Sequence, residues 1–197
     1  MDFNFDPSIA ALMGYAFGSI PFGLLLTKMA GMGDVRDIGS GNIGATNVLR
    51  TGNKGLAIAT LLLDLIKGFV PVWLAWQFFQ NDIGWTALGA VVGHCFPVWL
   101  GFKGGKGVAT NAGVCFGLGL HIGAVYAVAW IVVLALSRIS SVAGMSAVVA
   151  AVGGAWYFDR PTFLLPLALI AVLIIWLHRE NIKRLMKGEE PKVGSKT

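Results

Sequence analysis

Long apolar runs separated by short polar segments make up most of the chain. The runs span residues 8–31, 55–79, 83–102, 108–136, 139–158 and 161–177. A bilayer core is crossed by about 20 apolar residues in a helix, so the pattern predicts an all-α, polytopic membrane protein. The run over 108–136 would measure about 44 Å as one helix. We expect it to divide near Gly119, His121 and Gly123, which gives about seven transmembrane helices.

The distribution of charge predicts how these spans are oriented. Asp2 and Asp6 precede the first run, and the basic residues come later. Most Lys and Arg residues concentrate in the polar segments 33–54, 101–107 and 178–197. Because basic loops tend to stay in the cytoplasm, we expect the N-terminus outside and the C-terminus in the cytoplasm. Five full spans with one re-entrant run satisfy the same parity, so both counts remain open.

The composition leaves little room for anything outside the membrane. Hydrophobic residues make up 56% of the 197 residues and charged residues 13%, with a mean hydropathy of +0.73. Soluble domains carry about 25% charged residues, so we expect a single integral-membrane domain over residues 1–197. The predicted partner is the lipid bilayer, and we infer neither a nucleic acid nor an obligate protein partner.

In residues 37–50, glycines alternate with hydroxyl and amide side chains. Such a stretch can present backbone N–H groups to a phosphate, and an arginine adds a bidentate charge. A flexible connector rich in Gly and Asn is the alternative interpretation. The candidate binding residues are Ser40, Gly41, Asn42, Gly44, Thr46, Asn47 and Arg50.

The segment 101–107 combines four glycines with two lysines. It has the composition of a phosphate-binding loop, but Gly107 stands where a nucleotide-hydrolysing P-loop has Ser or Thr. Phosphate binding without nucleotide hydrolysis is therefore the favoured interpretation; the alternative is that the lysines only anchor the loop at the membrane surface. The candidates are Lys103, Gly104, Gly105, Lys106 and Gly107.

The segment that begins at His178 is predicted to extend the last helix. Helical spacing places His178 and Asn181 on one face, where both can point into a site. The same spacing pairs Glu180 with Arg184 on another face. An amphipathic helix lying on anionic lipid is the alternative. Ser141, in the short turn after Arg138, faces the same predicted side of the membrane.

Asp64 and Lys67 lie inside the second apolar run, three residues apart. An isolated charge at this depth is costly, so we expect the two to pair on one helix face in a structural role, with substrate contact as the alternative. His94 and His121 have no further ligand at metal-binding spacing, so no metal site is predicted.

Three motifs, in order and between apolar runs, resemble the bacterial acyl-phosphate:glycerol-3-phosphate acyltransferases of the PlsY type. They read SGNIGATNVLR at 40–50, then GHCFP at 93–97 with KGGKGVAT at 103–110, then HRENIKRLMKGEE at 178–190. The resemblance implies a seven-span enzyme of the bacterial inner membrane with its site on the cytoplasmic side. It also implies acyl transfer from acyl phosphate to the 1-hydroxyl of glycerol-3-phosphate, releasing lysophosphatidic acid and phosphate, without a cofactor.

The resemblance also implies roles for individual residues. Ser40, Arg50, Lys106, His178 and Asn181 match the catalytic set. Gly104, Gly105 and Gly107 match the acceptor loop, Ser141 matches a serine near the site, and Glu190 matches a structural glutamate. Gly144 departs from the family, since members often carry serine there.

The proton acceptor of the reaction is either His178 or a substrate phosphate. We favour the phosphate, because the sequence places no carboxylate to orient His178. Two other functions fit the sequence less well. A transporter for a phosphorylated solute predicts internal repeats and broken helices at mid-membrane, and a CDP-alcohol phosphotransferase needs more aspartates than Asp34 and Asp37 provide.

Overall fold

The computed structural model describes residues 7–194, and this range is built from helices and connecting turns. Asp2, Asp6 and residues 195–197 lie outside it. The α-helices are α1 Pro7–Gly18, α2 Phe22–Met29, α3 Ala45–Val48, α4 Lys54–Phe78, α5 Ile83–Cys95, α6 Val108–Leu118, α7 Leu120–Ser137, α8 Ser140–Tyr157, α9 Pro161–Leu177 and α10 Arg179–Met186. Short 3-10 turns lie at Val35–Asp37, Leu49–Thr51 and Val98–Leu100.

The all-α, polytopic membrane architecture is confirmed. Within residues 7–194, five helical stretches are long and apolar enough to cross a bilayer, and α9 with α10 adds a sixth that is bent by 56°. The predicted division of 108–136 is confirmed at Gly119, where α6 ends and α7 begins. Because α6 has only 11 residues, the seven-span count and the orientation stay predictions.

The first predicted span is confirmed as one candidate membrane span, Pro7–Met29, and within it the chain forms two helices. Residues 19–21 interrupt it between α1 and α2. The physical reason is Pro21, which lacks a backbone N–H and disfavours the helical conformation of Ile20 before it. The Ile20 carbonyl accepts a hydrogen bond from Phe22 N (3.1 Å) across the break.

Glycines bring the helices together at backbone distance. A Cβ on Gly14 or Gly18 of α1 would overlap the backbone of α5, and a Cβ on Gly68 of α4 would overlap the backbone of α6. Such small residues are typical of membrane helix interfaces, where close packing replaces the hydrophobic effect. Most of the buried apolar side chains belong to α5, α6, α8 and α9, and the polar side chains of Thr86, Thr110 and Asn111 are buried in the same helices.

One end of this bundle gathers the polar segments. Helices α5, α7 and α9 end there, and α6 and α8 begin there. Two contacts between distant residues place these helix ends together. Lys106 before α6 contacts Asn181 of α10, and Ser141 of α8 contacts Glu190. At the opposite end, His121 stacks on Phe158 with ring centroids 5.1 Å apart. We call the first of these the site end.

Candidate active site

The Asn47 side chain organises the first loop, residues 38–50. Its Nδ2 donates to the carbonyls of Val35 (2.8 Å), Ile38 (3.1 Å) and Asn42 (2.8 Å). Its Oδ1 accepts a hydrogen bond from the N–H of Ser40 at 3.0 Å. Asn47 is only 2% exposed, so it holds the loop together from inside, and its contact with substrate stays a prediction.

Ser40 and Arg50 lie on the outer surface of this loop, and both are exposed. The Arg50 side chain crosses Gly39, where a Cβ would come within 2.6 Å of Nη1. Gly39 has φ of +55°, a conformation that glycine adopts without strain. Thr46 is also exposed, at the start of α3. The fold thus presents the hydroxyl of Ser40 and the guanidinium of Arg50 together.

The glycine amides of this loop correct one expectation. Gly41 N donates to the Ile38 carbonyl at 3.0 Å, and Gly44 N donates to Asn42 Oδ1 at 3.1 Å. These two N–H groups are therefore not free to cradle a phosphate. Internal turn geometry explains why the loop is rich in glycine and asparagine.

The second loop, residues 101–107, requires the same correction. Gly104 N donates to the Cys95 carbonyl and Gly105 N donates to the His94 carbonyl, both at 3.0 Å. A Cβ on Gly104 would overlap His94 O, and one on Gly105 would overlap the His94 imidazole. Glycine is required here because the loop packs directly on the end of α5, while Lys103 points outward and is exposed.

Lys106 is the residue that this loop presents to the site end. Its Nζ donates a hydrogen bond to Asn181 Oδ1. Burial lowers the pKa of Lys106, and the nearby charge of Arg184 lowers it further, while Glu190 opposes the shift. Gly107 and the first turn of α6 follow at once, without a side-chain cap. Uncapped helix N-termini attract anions. The Lys106 ammonium and the N-terminus of α6 can therefore attract the same anion.

His178 lies where α9 meets α10, and it is 4% exposed. Its Nδ1 is 2.7 Å from the Ile174 carbonyl. A carbonyl only accepts hydrogen bonds, so Nδ1 carries the proton and Nε2 of the neutral ring is an acceptor. Burial lowers the pKa of His178; the Ile174 carbonyl opposes this, and the Lys106 charge reinforces it. The ring is therefore neutral at pH 7.

Glu190 ties the C-terminal segment to the site end. Its carboxylate accepts hydrogen bonds from Ser141 Oγ (2.7 Å), Asn181 Nδ2 (2.5 Å) and Arg184 Nε (2.7 Å). Burial alone would raise the pKa of Glu190, but these three donors together lower it. Asn181 thus lies between Glu190 and Lys106, and its amide is fixed from both sides.

The predicted pairing of Glu180 with Arg184 is wrong. Glu180 instead pairs with Lys183, whose Nζ is 3.0 Å from Oε1, and Arg184 turns to Glu190. The reason is tertiary: the chain after α10 folds back and offers Arg184 a partly buried carboxylate. Sequence spacing contained no signal for this contact, since residues 187–190 lie outside the helix.

Positive charge dominates the surroundings of Lys106. Arg184, Arg179 and Arg50 all influence its protonation electrostatically, with Glu190 as the opposing carboxylate. Arg179 was not among the predicted site residues; it stacks on Trp176, 4.6 Å from the ring centroid. The structure therefore brings together candidates from all three polar segments, and the arrangement suits a substrate with more than one negative charge.

Deeper in the bundle, the predicted pairing of Asp64 and Lys67 is confirmed. Lys67 Nζ lies 2.7 Å from Asp64 Oδ1, and both side chains are 2% exposed. His94 Nδ1 lies 3.8 Å from the same oxygen. Among residues 7–194, no group of three or more His, Cys, Asp or Glu side chains is placed to hold a metal ion.

Comparisons with known proteins identify the family of this chain. The family described as "Glycerol-3-phosphate acyltransferase" matches residues 8–188. The chain is 81% identical over 196 residues to the glycerol-3-phosphate acyltransferase of Erythrobacter litoralis (strain HTCC2594), covering 100% of both chains. It is 52% identical over 188 residues to that of Mesorhizobium japonicum, covering 95% of this chain and 96% of the relative.

Two solved structures are also similar. The glycerol 3-phosphate form of PlsY (YgiH), an integral membrane glycerol 3-phosphate acyltransferase, superposes with a TM-score of 0.90 at 38% identity, over 95% of this chain and 96% of the other. The lysophosphatidic acid form gives 0.87 at 36% identity, over 95% of each chain. The chain therefore belongs to the glycerol-3-phosphate acyltransferase family, and it is an integral membrane acyltransferase rather than a transporter.

Proposed function

We propose that this enzyme transfers a fatty acyl group from acyl phosphate to the 1-hydroxyl of glycerol-3-phosphate. The products are 1-acyl-glycerol-3-phosphate, which is lysophosphatidic acid, and inorganic phosphate, in the first step of phospholipid synthesis. The observation that carries the proposal is the cationic site end, where the charges of Arg50, Arg179 and Arg184 all act on Lys106 and lower its pKa. Such a cluster suits two phosphate-bearing substrates held side by side. The related PlsY structures contain glycerol 3-phosphate or lysophosphatidic acid.

Acyl phosphate is a mixed anhydride with a good leaving group, so the chemistry needs no acyl-enzyme intermediate. The acceptor's 1-hydroxyl oxygen attacks the acyl carbon and forms the ester bond. The bond from the acyl carbon to the phosphate oxygen breaks, and phosphate leaves with the electron pair. Most of the catalytic advantage then comes from holding two anions in a reactive orientation.

Residues of the three motifs hold the two substrates in that orientation. Lys106 and Arg50 neutralise the phosphates, with the uncapped start of α6 beside Lys106. Ser40, exposed next to Arg50, stabilises the oxyanion that develops on the acyl carbonyl, and such donors contribute about 3 kcal/mol. Asn181 acts through Lys106, since both ends of its amide are already engaged.

The proton of the acceptor hydroxyl goes to a substrate phosphate. His178 is oriented by the Ile174 carbonyl, a partner that sequence alone did not provide. Its neutral Nε2 accepts a hydrogen bond from the 2-hydroxyl of glycerol-3-phosphate and so orients the acceptor, which leaves the proton of the attacking 1-hydroxyl free to pass to the phosphate. His178 is thereby a positioning group, with the departing phosphate as the base.

The membrane supplies the rest of the site. The acyl tail lies against the apolar helices, so only the phosphate and the reacting carbon reach the site end. We place the enzyme as one domain over residues 1–197 in the bacterial inner membrane, with about seven spans, the N-terminus outside and the site end in the cytoplasm, because the basic segments cluster there.

The test is a donor comparison with the purified protein in detergent. With palmitoyl phosphate and glycerol-3-phosphate we expect lysophosphatidic acid and phosphate in equal amounts, and no product with palmitoyl-CoA. Ser40→Ala should lower turnover about 100- to 1000-fold. Turnover with palmitoyl-CoA and none with palmitoyl phosphate would overturn the proposed donor.

A further inference from the structure

A buried polar cluster lies beneath both substrate loops, and the proposed reaction does not use it. Lys67 Nζ contacts Asp64 Oδ1 at 2.7 Å and donates to the Ile20 carbonyl at 2.6 Å. His94 Nδ1 faces the same Asp64 oxygen at 3.8 Å. All three side chains are at most 3% exposed. Charged groups at this depth in a membrane bundle are expensive, which suggests a function.

One arm of the cluster reaches the second loop. The carbonyl of His94 accepts the Gly105 N–H, and the imidazole of His94 fills the space where a Gly105 side chain would begin. His94 therefore supports Gly105 with both its backbone and its ring. Lys106 is the next residue, so the position of its Cα follows from where the imidazole lies.

The other arm reaches the first loop. Lys67 binds the carbonyl of Ile20, which lies at the break between α1 and α2. Beyond the break, Gly23 of α2 packs against the carbonyl of Ile43, and a Cβ on Gly23 would overlap that oxygen. The direction of α2 thus sets the position of the loop that carries Ser40.

We infer that Asp64, Lys67 and His94 form a positioning device that fixes the two substrate loops relative to each other; this rests on the proposed function for those loops. Asp64 joins the arms because its Oδ1 faces both Lys67 and His94. Two anions must be held in a reactive orientation, and a misplacement of about 1 Å costs about 100-fold in rate.

Stability alone does not account for the charges. Replacing a buried ion pair by apolar residues of similar volume is often neutral or stabilising, whereas removing one partner leaves an uncompensated charge. The ion pair differs from an apolar pair in one respect here. The Ile20 carbonyl at the helix break accepts a hydrogen bond from Phe22 N and a second one from Lys67 Nζ, and an apolar side chain at position 67 could not supply the second donor.

The decisive experiment is a double-mutant cycle between His94 and Gly105. Gly105→Ala forces its new methyl group into the imidazole, so we expect about a 100-fold loss in kcat/KM for glycerol-3-phosphate. His94→Ala alone should cost about tenfold, because Gly105 loses its support. His94→Ala/Gly105→Ala should be at least about tenfold more active than Gly105→Ala, because the new methyl group then occupies the vacated space. Losses that multiply in the double variant overturn the inference, because His94 and Gly105 would then act independently.

The same four proteins are compared by the affinity for glycerol-3-phosphate, measured by calorimetry in the absence of an acyl donor. This readout separates the inference from the donor assignment, because recovery of binding supports the positioning device even if palmitoyl phosphate is not the acyl donor. A cycle in which binding does not recover overturns the inference independently of turnover.

The ion pair is tested by Asp64→Leu/Lys67→Met, which leaves no unpaired charge. We expect an unchanged Tm within a few degrees and at least a tenfold higher KM for glycerol-3-phosphate, because the Ile20 carbonyl loses the Lys67 donor and the His94 ring loses the Asp64 carboxylate that it faces. Thr86→Val is the matched control, a buried polar residue of α5 whose packing partner is α1 near Gly14. A double variant with wild-type kinetics contradicts the inference.

Discussion

Lys106 and Asn181 are 75 residues apart in the chain, yet the Lys106 ammonium donates a hydrogen bond to the Asn181 side-chain oxygen. The other end of the same amide is held by Glu190 at 2.5 Å. Through this contact α10 and the C-terminal segment determine where the central cation of the site points.

Asn181→Ala should lower kcat/KM by about 100-fold, because the Lys106 ammonium loses its fixed direction. The measurement is steady-state acyl transfer to glycerol-3-phosphate. Lys183→Ala is the matched control, since Lys183 lies on the exposed side of the same helix and pairs only with Glu180. Equal activity of both variants would mean that Asn181 does not position Lys106.

Glu190→Ala should destabilise the protein, because three donors lose their common acceptor. Hydrogen bonds to a charged group contribute about 1.5–3 kcal/mol each at most, so we expect a Tm lower by several degrees in detergent. Glu189→Ala, one residue earlier and exposed, should leave the Tm unchanged. An unchanged Tm for Glu190→Ala would show that the C-terminal segment contributes nothing to folding.

His178 predicts a loss of stability on acidification. Its pKa is lowered in the folded protein, first of all by burial, so below its ordinary pKa of about 6.5 the unfolded chain takes up a proton that the folded chain resists. The contribution of His178 to the free energy of unfolding therefore falls as the pH drops through this range, and it is constant above about pH 7.5. The lowered pKa of Glu190 contributes only at pH values below about 4.5.

The measurement is the Tm of the wild type and of His178→Gln between about pH 8 and pH 5. The Tm of the wild type should fall by more than the Tm of His178→Gln between about pH 8 and pH 5. A variant with the same pH dependence as the wild type would contradict a buried neutral imidazole.

His178→Ala separates the two proton acceptors. If a substrate phosphate is the base, the loss of kcat should stay below about 1000-fold, and KM should rise as well, because the ring orients the acceptor through its 2-hydroxyl. His121→Ala, at the opposite end of the bundle, is the matched control and should retain full activity. A loss of at least about 1000-fold with unchanged affinity would make His178 the general base.

The helices were predictable because a bilayer permits few alternatives to helical spans. Gly119 divides the long fourth run as expected, and Pro21, which has no backbone N–H, interrupts the helix of the first run. The sequence predicts phosphate cradles at the loop glycines, but the N–H groups of Gly41, Gly44, Gly104 and Gly105 are hydrogen-bonded within the protein. A free and an engaged N–H look alike in a sequence.

Contacts between distant residues were beyond prediction for a different reason. Arg184 has an acceptable local partner in Glu180, and helical spacing favours it. The contact with Glu190 arises only when the chain turns back after α10. His94 is similar: its role beneath Gly105 depends on how the second loop folds over the end of α5.

The most direct test of the proposed reaction traces the 1-hydroxyl oxygen of glycerol-3-phosphate into the products. Glycerol-3-phosphate labelled with oxygen-18 at the 1-hydroxyl is turned over with palmitoyl phosphate, and both products are weighed by mass spectrometry. Direct attack on the acyl carbon predicts the label in the ester of lysophosphatidic acid and none in the released phosphate. Attack on phosphorus instead would put the label in glycerol 1,3-bisphosphate and release unlabelled palmitate, and this result would contradict acyl transfer at this site.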